Sequence, residues 1–258
     1  MNRRDFAMSA AAATLASASA KEPSQPACLE LRKFHLRNTK DQQAARLTEF
    51  VAKSYVPGLT REGAGPIGLF SPVVGADAPF LLLVAQHATL NEFEQRHAKL
   101  WDDAEFAAAA AKLSEGGRPY ERMEVALLRC FGAFPAIEVP PTSSDRAARI
   151  FEMRTYESDT PLSLKRKIGM FEGGEIEIFR KCGLLPVLFG AEVAGGRMPN
   201  LTYMVAFDNL AAREANWRAF ASSAEWHELS ARPGLGNADV VSNISNMLLA
   251  PVAGTQIR

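Results

Sequence analysis

Apolar and polar residues alternate over 28 to 35, "CLELRKFH", and again over 149 to 157, "RIFEMRTYE". That is the period of a half-buried strand. Helical spacing follows each, over 41 to 55 and over 161 to 181. Two short apolar runs come next in each stretch, 67 to 74 with 80 to 87, and 185 to 193 with 200 to 207. Gly75-Ala76-Asp77 and Gly195-Gly196-Arg197 stand between them and supply hairpin turn chemistry. Thr89, and Asp208 or Asn209, are N-cap candidates for a second helix. Alternating runs at 120 to 131 and 238 to 249 close the two stretches. The order strand, helix, strand, strand, helix, strand is therefore predicted twice.

The stretches also overlay residue on residue. "PFLLLVAQHATLNEFEQRHAKLWDDAEF" from Pro79 falls without a gap on "PNLTYMVAFDNLAAREANWRAFASSAEW" from Pro199. Fixed-period self-similarity of this kind marks a duplicated unit, so two domains are expected, at 28 to 131 and 148 to 258. "GAFPAIEVPPTSSDRA", 132 to 147, reads as a linker from its prolines and small polar residues. The element order predicts an α+β fold, with each unit a four-stranded ferredoxin-like βαββαβ sheet carrying its helices on one face. Two such units cover each other's bare faces, which predicts a pseudo-dimeric α/β barrel. The interior between the sheets is then the first place to expect a pocket.

Composition adds a location. Arg3 and Arg4 precede Asp5-Phe6, an Ala-rich run and Ala18-Ser19-Ala20, the pattern of a twin-arginine export signal cut near Ala20. A periplasmic or secreted protein is expected, with no stable membrane span, because the apolar run is shorter than the roughly 20 residues a bilayer needs. Basic and acidic residues balance at 29 each, which gives nucleic acid nothing to grip. Cys28, Cys130 and Cys182 lack metal-ligand spacing.

"LELRKF" at 29 to 34, "FEMRTY" at 151 to 156, "GLLPVLFG" at 183 to 190 and "WRAFASSAEW" at 217 to 226 together resemble the NIPSNAP family. The resemblance covers most of 149 to 250, with a diverged copy over 28 to 131. It implies the dimeric α/β-barrel fold, which hosts oxygenases, haem proteins and non-catalytic members. In such a unit the first and last strands are antiparallel neighbours, so a Cys28–Cys130 disulfide is expected.

Strand alternation sorts the candidate chemistry. If Leu29, Leu31, Phe151 and Met153 pack under the helices, then Glu30, Arg32, Phe34, Glu152, Arg154 and Tyr156 face the barrel interior. Charges there must be paired or must meet a polar ligand, which leaves a Glu–Arg network or a carboxylate site on Arg32 and Arg154. His35, His87, His97 and His227 form no HExxH or other ligand motif, so no metal and no cofactor are expected. His227 is the best placed of the four to serve as an axial haem ligand. Trp217 lies three residues before Phe220, the spacing of a packed helix face. Two functions remain open. One is a protein that binds a small apolar or carboxylate-bearing ligand or assembles through its sheets, including as a homo-oligomer. The other is a cofactor-independent oxygenase using the inter-sheet pocket, with His35, His87 or Glu152 as its base.

Overall fold

The chain begins its first sheet at β1 (Cys28–His35), and a long helix follows in three pieces: α1 (Gln43–Phe50), a π-helical segment (Val51–Tyr55) and α2 (Val56–Arg61). Then come β2 (Ile67–Val74), β3 (Phe80–His87), α3 (Leu90–Asp102), α4 (Ala104–Glu115) and β4 (Arg122–Cys130). The second half repeats the order with β5 (Ile150–Glu157), α5 (Pro161–Met170), a π-helical segment (Phe171–Glu175), α6 (Ile176–Lys181), β6 (Leu185–Ala194) and β7 (Asn200–Phe207). It ends with α7 (Leu210–Ala221), α8 (Ala224–Ser230), the short α9 (Asn237–Val240) and β8 (Asn243–Pro251). This computed structural model describes residues 25–141 and 148–258. The expected export signal at 1 to 20, and residues 142 to 147 of the expected linker, lie outside the described residues.

The strands close into one antiparallel barrel in the order β1-β3-β2-β8-β5-β7-β6-β4, with β4 returning to β1. Within it, β4-β1-β3-β2 and β8-β5-β7-β6 each have the ferredoxin-like order. The joints are β2 on β8 and β4 on β6, so each half covers the sheet edges that the other would leave unpaired. The expected α+β barrel is the observed fold.

Local chemistry explains most element ends. Thr89 and Asn209 cap α3 and α7 by accepting from Glu92 N and Ala212 N. The first helix, expected over 41 to 55, runs on to Arg61. Pro57 sits in the first turn of α2, just after the π-helical segment, where a missing N–H costs least. The expected strand at 238 to 249 begins later, because residues 237 to 240 form α9. The described part of the expected linker lies along the barrel: Ile137 is buried in the interior cluster and Glu138 N donates to Val187 O at 2.9 Å.

The two faces of the sheet are the reverse of the expectation. Leu29, Leu31, Phe151 and Met153 line the barrel interior with Phe70, Leu82, Val84, Leu128, Met204 and Leu249. Glu30, Arg32, Phe34, Glu152, Arg154 and Tyr156 point outward, under the helices, as Phe34 and Tyr156 show by packing with helix residues. The pairing of positions by alternation holds, and only the side is exchanged. An eight-stranded barrel is just wide enough for its own side chains to fill, and here apolar ones fill it. Helices, unlike a second apolar sheet face, can bring donors to a buried carboxylate.

The same alternation separates the cysteines. Cys28 pairs with Arg129 in the β1–β4 register, so Cys130 falls on the other face, with Ala27 and Leu29 inside the barrel. Both are buried free thiols, in place of the expected bridge. Burial pushes the Cys28 thiol up to about 11 and the Cys130 thiol up to about 12.

Candidate functional site

Glu152 is the centre of the second half. It is fully buried on β5 and accepts from Trp217 Nε1 at 2.8 Å, Arg213 Nε at 2.8 Å, Arg213 Nη2 at 3.0 Å and Arg154 Nη1 at 3.2 Å. Asn246 Nδ2 on β8 adds a contact at 3.3 Å. Burial pushes this carboxyl up. The hydrogen bonds from Arg213 and Trp217 and the charge of Arg154 outweigh it, so the group titrates below the ordinary carboxylate value. Arg213 and Trp217 stand four residues apart on α7, one helical turn, and so reach the same carboxylate.

Beside this network lies a cavity of about 380 Å³ between the sheet and helices α5, α7, α8 and α9, within the size range of small-ligand sites. Arg154, Lys167 and Arg213 bring cations to its wall, and Tyr156, Trp217, Phe220 and Trp226 bring rings. Two guanidiniums share the one Glu152 carboxylate. Arg154 lies over Trp217 at 4.8 Å and Tyr156 at 5.6 Å from the ring centroids. Its Nε is buried with no hydrogen-bond partner among the described residues. Glu214 stands on the rim, 69% exposed and 3.8 Å from Arg213. Trp226, three residues after the Ser223 cap of α8, belongs to this wall.

A buried ion pair completes the wall. Lys167 Nζ contacts both Glu175 oxygens, at 3.0 and 2.7 Å, with side chains 1% and 3% exposed. The π-helical segment places Glu175. It contains Gly173-Gly174, and Gly174 has φ 140°, a conformation that side chains avoid. Burial raises the Glu175 carboxyl above its ordinary value, although the Lys167 ammonium opposes the rise. Tyr156 and Tyr203 share a 2.8 Å hydroxyl contact beneath.

The first half answers with a different set. Glu30, also fully buried, has Oε2 3.1 Å from His87 Nε2 and 2.8 Å from His97 Nε2, while Oε1 pairs with Arg32 Nε. Burial pushes the Glu30 carboxyl up, but the bonds from His87 and His97 and the charge of Arg32 hold it well below the usual carboxylate range. His97 Nδ1 lies 3.2 Å from the Tyr55 hydroxyl and His87 Nδ1 lies 3.3 Å from Arg96 Nη1. Arg32 spends its other donor groups inside the protein, on Met123 Sδ at 3.0 Å and beside His97 at 3.3 Å.

Of the residues singled out in the sequence, the structure therefore brings Glu30, Arg32 and His87 together, and separately Glu152, Arg154 and Tyr156. The Glu–Arg pairs form within each half, not across the barrel. His35 lies on the opposite face of β1 from Glu30, 3.0 Å from Glu124, outside both groups. His227, the best placed of the four histidines for an axial haem role, is exposed on α8. Sequence reasoning missed Tyr55, Lys167, Glu175, His97 as a partner of Glu30, and Arg213. Only Arg213 carried a readable signal, its one-turn spacing from Trp217.

Known folds resemble the chain along its length. A candidate monooxygenase from Lactobacillus acidophilus NCFM superposes with a TM-score of 0.59 at 10% identity, covering 90% of this chain and 97% of its own. A candidate monooxygenase from Fusobacterium nucleatum gives 0.58 at 9% identity, covering 88% and 93%. An anthrone oxidase-like protein gives 0.52 at 12% identity, covering 89% and 93%. At these identities the likeness is one of fold, the dimeric α/β barrel. No curated protein matches the sequence. The part of the chain that holds Glu152, the Lys167–Glu175 pair and the cavity, residues 151–255, matches the NIPSNAP family model.

Proposed function

We propose that this chain is an exported, tandem NIPSNAP-type barrel whose second half binds a small molecule with an apolar or aromatic body and a carboxylate. The observation that carries the reading is Arg154. It lines a cavity of about 380 Å³ that also carries Arg213 and Lys167. A carboxylate in the cavity pairs with these cations, and a guanidinium holds it in a defined orientation. Trp217, Phe220 and Trp226 offer flat apolar surface to the rest of the ligand. Export rests on Arg3-Arg4 and Ala18-Ser19-Ala20, and tandem organisation on the overlay of the halves.

Titration of the mature protein with aromatic monocarboxylates, followed by tryptophan fluorescence and calorimetry, tests the reading. Carboxylates bind and their carboxamides do not. Equal binding of both, or full binding by Arg154→Met, overturns it.

Glu175 favours a second reading, a cofactor-independent oxygenase. It is a buried carboxylate with a raised pKa on the cavity wall, where a proton acceptor is needed. His35, His87 and Glu152, considered for that role from the sequence, are not among the residues that line this cavity. Oxygen uptake that requires both the ligand and Glu175 supports this reading; binding without uptake leaves the first.

A further inference from the structure

We propose that Glu30, His87 and His97 in the first half form a site for one divalent transition-metal ion of the zinc class. Glu30 Oε2 lies 3.1 Å from His87 Nε2 and 2.8 Å from His97 Nε2, and one ligand atom from each of the three residues lies within 4.8 Å of the others. They converge from separate elements: Glu30 from β1, His87 from the end of β3, and His97 from α3, 10 residues beyond His87. Two imidazoles and one carboxylate are the donor set of catalytic zinc and of mononuclear iron centres.

Three features beyond proximity support the assignment. Both rings present the same atom, Nε2, to the same carboxylate oxygen, so one ion replaces the hydrogens that now bridge them. Glu30 divides its oxygens, with Oε1 committed to Arg32 and Oε2 left to the rings. His97 Nδ1 faces the Tyr55 hydroxyl at 3.2 Å, the outer hydrogen bond that orients a metal-ligating histidine. The second half has Phe207 and Trp217 where the overlay sets His87 and His97, and neither can ligate, so the site is confined to the first half. It does not depend on the cavity reading.

The surrounding charge narrows the ion. Arg32 Nη2 lies 3.3 Å from His97 Nε2, and Arg96 Nη1 lies 3.3 Å from His87 Nδ1. Arg96 must turn from His87 on metal binding, and it has Glu92 at 2.9 Å and the Glu62 carbonyl at 3.0 Å to hold it. Two guanidiniums repel a hard cation held by charge alone, such as Ca²⁺ or Mg²⁺. An ion that bonds strongly to imidazole nitrogen tolerates them better.

Metal-stripped mature protein is titrated with Zn²⁺, Co²⁺, Mg²⁺ and Ca²⁺, and bound metal is counted by mass spectrometry. One Zn²⁺ or Co²⁺ binds per chain, Mg²⁺ and Ca²⁺ do not, and the zinc X-ray absorption edge of the wild-type protein shows imidazole nitrogen and carboxylate oxygen neighbours. His97→Ala and His87→Ala each lose at least tenfold in affinity, Tyr55→Phe loses about tenfold, and His227→Ala, on the surface, loses none. No bound zinc in the wild type, zinc without imidazole at the absorption edge, or undiminished binding by folded His87→Ala and His97→Ala would overturn the proposal.

Discussion

Trp217 and His97, which the overlay of the two halves sets at one position, each contact a fully buried glutamate at 2.8 Å, Glu152 in one half and Glu30 in the other. Both carboxyls titrate below the ordinary value. An ionised carboxylate only accepts, so the indole and the imidazole both act as donors. A change from Trp to His suggests simple packing when it is read along the chain. In space it conserves a donor aimed at a buried anion.

Removing that donor has a measurable cost. Trp217→Phe keeps an aromatic ring against Phe179 and Phe220 and deletes the N–H to Glu152 together with the second ring of the indole. A hydrogen bond to a charged group contributes about 1.5–3 kcal/mol, and urea unfolding is expected to show a loss in that range. Trp217→His, able to donate, loses less. Equal losses for the two variants contradict the donor role.

Acid weakens the second half through Glu152. Its folded pKa lies below the unfolded one, so the native state binds fewer protons between the two values and its stability rises with pH there. The contribution is complete above the ordinary carboxylate value of 4.5 and is lost as pH falls through the folded value. Arg154 on its own strand, Arg213 and Trp217 from α7, and Asn246 from β8 are the groups facing it. Stability measured from pH 6 down to 3 is expected to fall less steeply in Glu152→Gln than in the wild type.

Breaking the Lys167–Glu175 pair leaves one charge buried and alone. Lys167→Met or Glu175→Leu is expected to cost about 3–5 kcal/mol, and the double replacement much less than the sum. A double-mutant cycle in urea reads the difference, and additive losses contradict a coupled pair.

Thiol counting decides the cysteines. With values of about 11 and about 12 for Cys28 and Cys130, the thiolate fractions at pH 8 are about 10⁻³ and 10⁻⁴. A chromogenic disulfide reagent is expected to find Cys182, which is half-buried, ahead of the other two in the native protein. It is expected to find all three in unreduced, denatured protein. One thiol in the denatured sample means that the bridge exists.

The sequence by itself determined the main strand and helix order, the hairpin turns and the Thr89 cap, because each follows from local period and turn chemistry, and its duplication pointed to the barrel; the structure chose Asn209 over Asp208 as the second cap. The sequence also sorted Glu30, Arg32 and Phe34 from Leu29 and Leu31. Only the tertiary structure decided which set lies inside. Both faces of each sheet are buried, one by the opposite sheet and one by helices, and alternation carries no label for the two. Volume and desolvation supply the label: the closed barrel accepts apolar side chains, and the helix side accepts a carboxylate because α3 and α7 bring donors to it. The Glu30–His87–His97 and Lys167–Glu175 groups were hidden for the same reason. Glu30 stands 57 residues from His87 and 67 from His97, and Glu175 ends the π-helical segment that follows the α-helical turns carrying Lys167, so no fixed spacing reveals either group before the chain folds.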